Sequence, residues 1–248
     1  MKSINFLAPG ALFRASLALF AGLLTLASCS KSDSRYNNDI SAPFAQVEIA
    51  HAVPGSSVLD AAFDQNRLGV KTFTFTDRVD YLRVTPGQRS VKVFDATVAT
   101  ANQLFAKDLN FEAGKFYSLF IVDTASKMDI VSLKDSSRSA GPDSVRIRFA
   151  NMSPDAPGLD LYVQGVATPI ATNITYKNAG EFMSYKTALN VRFEVKRTGQ
   201  SELLATSDPY NLVNGKIYSI WSGGYISGSS ANKTKISVSA FTHNPLLY

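Results

Sequence analysis

Nucleophilic catalysis needs a base, most often histidine, beside a serine, cysteine or threonine. This chain of 248 residues has two histidines, His51 and His243, and one cysteine, Cys29. Neither histidine has a partner in its local sequence, and His51 reads as a packed or hydrogen-bonded residue near a strand end. Zinc needs clustered cysteine and histidine ligands, which two distant histidines and one cysteine do not supply. No G-x-S-x-G, P-loop or dinucleotide fingerprint is present. The glycine-rich Gly223-Gly224-Tyr225-Ile226-Ser227-Gly228-Ser229-Ser230 follows one strand and leads to another. It reads as a hairpin loop rather than a phosphate cradle. A hydrolase would need two dispersed carboxylates about 5–10 Å apart, and no pair is marked. The expectation is a non-enzymatic chain with no cofactor and no metal.

Recognition is the other chemistry that side chains can perform. Trp221 and Tyr225, in or beside the glycine-rich loop, are the candidate ligand contacts. Covering of a core by the same two rings is the simpler alternative. The formal charge is +5. Without Lys2 and Arg14, which precede the expected cleavage point, it is +3. The basic residues alternate with apolar ones (Arg146 and Arg148, Arg192 and Lys196) instead of forming a run. Solvated strand faces are expected, and no nucleic-acid partner.

Cys29 allows no intrachain disulfide, so cores must hold the chain together. Its position gives it another role. Ala15 to Ala27 is an uncharged run of 13 residues, about 20 Å long as a helix at ~1.5 Å per residue. That is short of the ~30 Å hydrocarbon core and suits the apolar region of a signal peptide. Leu26-Ala27-Ser28-Cys29 follows, and it resembles the lipobox of bacterial lipoproteins. The resemblance implies a signal peptide over 1–28 and lipidation at Cys29, with a membrane anchor of several acyl chains. Residues 29–44 then form the lipidated cysteine and a polar tether. Serine after the cysteine, by analogy with lipoprotein sorting, favours the outer membrane of a Gram-negative cell envelope.

The remainder repeats itself. Val47-Glu48-Ile49-Ala50-His51-Ala52-Val53-Pro54 aligns with Ile147-Arg148-Phe149-Ala150-Asn151-Met152-Ser153-Pro154 at an offset of 100. Gly114-Lys115-Phe116-Tyr117-Ser118 aligns with Gly215-Lys216-Ile217-Tyr218-Ser219 at an offset of 101. A duplicated domain accounts for both. The expected boundaries are 45–138 and 143–248. Within each copy the apolar period is two: Val145, Ile147 and Phe149 alternate with Arg146 and Arg148, and Val191, Phe193 and Val195 with polar residues. Pro54-Gly55, Pro86-Gly87, Pro157-Gly158 and Asn214-Gly215 punctuate the runs. The pattern predicts an all-β chain of two tandem immunoglobulin-like β-sandwich domains. Thr97 to Gln103 has room for a turn of helix.

Phe149-Ala150-Asn151-Met152-Ser153-Pro154-Asp155-Ala156-Pro157-Gly158-Leu159-Asp160 resembles the signature of domain-of-unknown-function family 4397. That signature runs roughly His-Ala-Ser-Pro-Asp-Ala-Pro with an aspartate a few residues on. Copy two departs from it at Asn151 and Met152. Copy one keeps His51, Ala52, Pro54 and Asp60 but has Val53 for the serine and Gly55-Ser56-Ser57 for Asp-Ala-Pro. The resemblance implies an extracytoplasmic β-sandwich module without an established activity. Pro54, Pro154 and Pro157 would stop a strand and stiffen its corner. Asp60, Asp155 and Asp160 read as ties for turn amides. Calcium needs several convergent oxygens, and copy one has no acid at the position of Asp155. The functional expectation is a structural or binding module of the envelope, its partner a protein or a glycan. A glycan-binding accessory protein and a hydrolase with dispersed carboxylates are the alternatives.

Overall fold

The computed structural model describes residues 43–68, 73–97, 102–136, 138, 140–229 and 234–243. The signal peptide, Cys29 and nearly all of the expected tether lie outside the described residues, and among those residues there is no helix. The chain forms the two tandem β-sandwiches expected.

The first repeat contains β1 (Ala45–His51), β2 (Leu59–Phe63), β3 (Asn66–Arg67), β4 (Arg78–Val84), β5 (Gly87–Asp95), β6 (Asn102–Phe111), β7 (Phe116–Val122) and β8 (Asp129–Lys134). The second contains β9 (Ser144–Met152), β10 (Leu159–Val163), β11 (Ala171–Ile174), β12 (Asn178–Ala179), β13 (Met183–Lys186), β14 (Ala188–Val191), β15 (Phe193–Arg197), β16 (Leu203–Thr206), β17 (Tyr210–Leu212), β18 (Ile217–Gly223) and β19 (Ser237–Thr242). Asn102 and Gln103 open strand β6, so the helical turn expected up to Gln103 does not extend to them.

Topology confirms the duplication. The first repeat pairs β4-β1-β7-β8 in one sheet and β3-β2-β5-β6 in the other. The second pairs β13-β9-β18-β19, with β12 also on β9, against β11-β10-β15-β16. Both contain one parallel pair at the same place: β1 with β7 and β9 with β18. The register repeats as well. Glu48 lies opposite Ser118 and Arg148 opposite Ser219. Asp135 donates its amide to the Phe116 carbonyl as His243 donates its own to Ile217.

Three cores result from this arrangement, not two. Val47, Ile49, Leu119 and Ile121 point into the first sandwich with Leu59 and Val93. Ile147, Phe149, Tyr218 and Ile220 point into the second with Leu161 and Phe193. The opposite faces of β1, β7, β9 and β18 supply Ala50, Phe120, Val122, Ala150, Met152 and Trp221 to a third core between the repeats, joined by Ala52 and by Phe241 of β19. The four larger sheets therefore stack in one body, and β14 and β17 pair in a small fifth sheet. The expectation that the outer face of β9 meets water fails here. Arg148 is 3% exposed, and every residue of β1 is buried. The alternation is present, but each of these strands is covered on both sides, as parallel pairs usually are.

Candidate functional site

Alternation along four strands places one polar position from each at the centre of the third core. β1 contributes Glu48, β7 Ser118, β9 Arg148 and β18 Ser219, all buried. Asp135 and His243, the residues directly after β8 and β19, join them, and Tyr81 of β4 closes the group. Burial of so many polar atoms is tolerable only if they satisfy one another.

They do so in a continuous network. Tyr81 donates its hydroxyl to Asp135 Oδ2 at 2.6 Å. The Tyr81 oxygen lies 2.7 Å from His243 Nδ1 and has given its own hydrogen to Asp135, so that ring nitrogen carries the hydrogen. His243 Nε2 then accepts from the Ser219 hydroxyl at 2.8 Å. Ser219 Oγ accepts in turn from Arg148 Nε at 2.7 Å. The Arg148 fork also reaches Ser118 Oγ at 2.9 Å, the Lys134 carbonyl at 3.1 Å and Asp135 Oδ1. Its guanidinium stacks over Phe182, 4.7 Å from the ring centre. Glu48 Oε1 lies 2.7 Å from Ser118 Oγ and 3.1 Å from His243 Nδ1.

Burial sets the electrostatics. It pushes the Glu48 carboxyl up to about 7, with Ser118, Arg78 and Arg148 opposing and Asp80 reinforcing the shift. Burial lowers His243 well below its usual range, against the pull of Asp135 and with the help of Arg148 and Arg78. The Tyr81 hydroxyl is raised by burial and by Asp135. The imidazole is thus neutral, consistent with the hydrogen-bond roles.

Ser219, His243 and Glu48 align as nucleophile, base and orienting acid. Yet Ser219 is 0% exposed and its oxygen already accepts from Arg148, so no substrate reaches it in this arrangement. Glu48, Asp135 and His243 also place ligand atoms within 4.8 Å of one another. Arg148 occupies Asp135 with its own positive charge, and His243 directs one nitrogen to Tyr81 and the other to Ser219. Each of the three side chains is thus engaged in hydrogen bonds or an ion pair within the network. The local sequence gave no warning of the cluster. The signal available was register: the two repeat alignments make Glu48 equivalent to Arg148 and Ser118 equivalent to Ser219.

The expected contact residues separate. Trp221 is 1% exposed and packs edge-on against Phe120 of the other repeat, centroids 5.5 Å apart. It belongs to the inter-repeat core and not to an open contact surface. Tyr225 is half-buried in the loop after β18, its hydroxyl raised by burial and by Asp123 and Asp155. A cavity of about 430 Å³ opens at the repeat junction, lined by Phe73, Thr76, Asp77 and Arg78 of the first repeat and Trp221, Ser239, Ala240 and Phe241 of the second.

The three aspartates of the corners tie backbone amides. Pro54 and Pro154 turn the chain between β1 and β2 and between β9 and β10. The Pro157 carbonyl accepts from Asn151 Nδ2 at 3.2 Å. Asp60 accepts the Ala61 amide and pairs with Arg67 at 2.8 Å. Asp160 accepts the Asn173 amide and the Thr198 hydroxyl. Asp155 reaches across to the glycine-rich loop and accepts the amides of Ile226 and Ser227 at 2.7 and 3.0 Å. Gly224 in that loop has φ +88°, and a Cβ there would collide with the Lys235 carbonyl.

At the far rim of the interface Lys177 of the second repeat bonds Asp129 of the first at 2.8 Å, and Lys107 holds the other Asp129 oxygen at 2.8 Å. Partial burial would raise the Asp129 carboxyl, but hydrogen bonds from Lys107, Lys177 and the Ile130 amide hold it down to about 2.

No curated protein matches the sequence. Among solved structures the chain is similar to a family 26 carbohydrate-binding module of Eubacterium rectale Amy13K in complex with maltoheptaose. The identity is 11%, the TM-score 0.28, and the match covers 81% of this chain and 98% of that one. A streptococcal virulence factor that binds alpha-glucan matches at 10% identity and TM-score 0.23, covering 77% and 95%. A protein named for cell adhesion from Parabacteroides distasonis matches at 8% identity and TM-score 0.22, covering 79% and 98%. Likeness at this level carries no argument about ligand. The family model does cover the chain, over residues 45–162 and 147–242, and on that match, repeated as the fold is repeated, the chain belongs to the family Domain of unknown function (DUF4397).

Proposed function

We propose that the chain is a non-enzymatic, lipid-anchored protein of a Gram-negative cell envelope that presents its two repeats as one stiff structural or binding body. The third core carries this reading: Phe120, Trp221 and Phe241 bury their rings between the repeats, so the two sandwiches cannot act as independent beads. The Leu26-Ala27-Ser28-Cys29 segment supports the anchor, and the sealed Ser219–His243 pair supports a non-catalytic role. Membrane fractionation of cells expressing the full chain and Cys29→Ala tests it. The wild type should sediment with outer membranes and enter detergent, and the variant should not. A wild-type chain that stays soluble overturns the reading.

The cavity at the repeat junction favours one narrower version, a glycan-binding accessory protein. Thr76, Asp77, Arg78 and Ser239 give it hydrogen-bonding groups beside Phe241, the mixture that orients a hydroxylated ligand. The partner would then be a glycan and not a protein. A glycan array probed with wild type and Asp77→Ala separates the two. Binding lost in the variant supports the glycan, and no binding by either removes it.

A further inference from the structure

Ser118 Oγ has one hydrogen to give and four close neighbours. Arg148 Nη2, at 2.9 Å, donates to it. The other three are carboxylate oxygens: Glu48 Oε1 at 2.7 Å, Asp135 Oδ1 at 2.8 Å and Asp135 Oδ2 at 2.9 Å. If both acids were ionised, Ser118 could satisfy only one. The other would face its lone pairs across less than a van der Waals contact in a buried site. One added proton resolves the conflict. Asp135 already receives Tyr81 and Arg148 and is the better anion. Glu48 shares the His243 Nδ1 hydrogen with Tyr81 at 3.1 Å and has Arg78 Nη1 at a long 3.3 Å, and Arg78 is also paired with Asp80.

We propose that the joint between the repeats is a proton-binding site, in which Glu48 holds a proton at neutral pH, donates it to Ser118, and loosens the contact between the repeats when that proton is lost. Ser118 passes its own hydrogen to Asp135, so the chain Glu48, Ser118, Asp135 runs in one direction. In the protonated cluster Arg148 pairs with Asp135, and Glu48, His243 and Tyr81 are neutral. Ionising Glu48 adds a buried negative charge beside Asp135. Its surroundings on every side are then Arg78 and Asp80 of β4, Tyr81 beside them, Arg148 of β9, and Asp135 and His243 after β8 and β19. Partly exposed Arg78 and Arg148, the latter already paired with Asp135, are the cations that offset the new charge.

The sign follows from linkage. Burial raises Glu48 from 4.5 to about 7, so its contribution is whole below about 4.5 and is lost as pH rises through about 7. His243, shifted downward, acts oppositely below about 6.5. Global stability therefore mixes the two, and a local probe is needed. Trp221 is the only tryptophan in the sequence and sits in this core.

Acrylamide quenching of Trp221 in the full chain, read between about pH 5 and about pH 9, should rise severalfold with a midpoint near 7. Glu48→Gln, whose amide donates to Ser118 as the protonated acid does, should fold and stay at the low-pH level throughout. Infrared difference spectra between wild type and Glu48→Gln should contain a protonated-carboxyl band at neutral pH. A quenching profile that is flat in the wild type, or that titrates equally in Glu48→Gln, overturns the proposal. So does a missing carboxyl band, or a Glu48→Gln chain that fails to fold, since either means Glu48 serves as an anion.

Discussion

Glu48 and Arg148 occupy the same place in the two repeats and turn toward the same serine, Ser118, which lies 2.7 Å from one and 2.9 Å from the other. Asp135 and His243 are related in the same way through identical backbone hydrogen bonds, and so are Ser118 and Ser219. A pseudo-twofold joint between identical repeats would set like against like: two buried acids, or two buried bases. Divergence of the copies has made the positions complementary, acid in one and base in the other. Tandem order is thus written into the interface, because exchanging the repeats' side chains at one position alone would bury a like-charged pair.

Arg148→Ala tests how much rests on that complementarity. The variant leaves Asp135 buried without its cation and three oxygens without a donor. Breaking a buried pair by removing one partner costs about 3–5 kcal/mol. Urea denaturation should show a loss of that size. Arg148→Ala with Asp135→Asn should recover part of it, because the uncompensated charge is gone. A loss below about 1 kcal/mol would place Arg148 among surface residues and contradict the third core.

Trp221 makes the apolar counterpart. It packs against Phe120 of the first repeat, and Phe120 also meets Phe241 at 6.0 Å. Trp221→Ala should cost about 3–5 kcal/mol. Phe120→Ala should cost a similar amount, and the two losses should fall short of additivity because they empty one shared space. If Trp221 were instead an exposed ligand contact, Trp221→Ala would leave stability within about 0.5 kcal/mol.

Asp155 fastens the glycine-rich loop from 71 and 72 residues away. Asp155→Ala should leave the sandwich intact and release the Ile226 and Ser227 amides. Hydrogen exchange at those two amides should accelerate well beyond that of Trp221, whose strand is unaffected. Unchanged exchange would mean that Gly224 and the Tyr225–Ile236 backbone bond define the loop without it.

Period-two alternation was enough to predict the sandwiches and the duplication, because an apolar face meets a core whatever covers the other side. Val145, Ile147 and Phe149 point inward as expected. What alternation cannot carry is the fate of the second face. Arg148 on β9 and Glu48 on β1 look solvated, yet a buried ion pair and a solvated charge give the same letters. Trp221 was ambiguous for the same reason. The corner was legible where backbone chemistry dictates it, at Pro154 and Asp160. Asp155 reads as a tie for the amides of its own turn, but the amides that it accepts lie in a distant segment that no local pattern names.

His51 and Asn151 offer the last test, since the repeats answer one requirement with two residues. His51 Nδ1 accepts the Val53 amide at 3.2 Å, as Asn151 Oδ1 accepts that of Ser153 at 3.0 Å. The other nitrogen faces Ser56 Oγ at 3.0 Å, as Asn151 Nδ2 faces Pro157. Asparagine thus reproduces both polar contacts of the imidazole but has nothing to titrate. Burial lowers His51 from 6.5 to about 4, against the Ser57 carbonyl and Asp77. Its contribution is complete above about 6.5 and is lost as pH falls to about 4, because the unfolded chain takes up the proton first. At about 1.4 kcal/mol per unit, that amounts to roughly 3 kcal/mol over the window. His51→Asn should lower stability at pH 7 by about 1 kcal/mol, for lost packing against Phe73, and should flatten the decline between about pH 6.5 and about pH 4. Denaturation curves across that window decide it: equal slopes in the two proteins would mean that His51 is not the buried neutral group its hydrogen bonds describe.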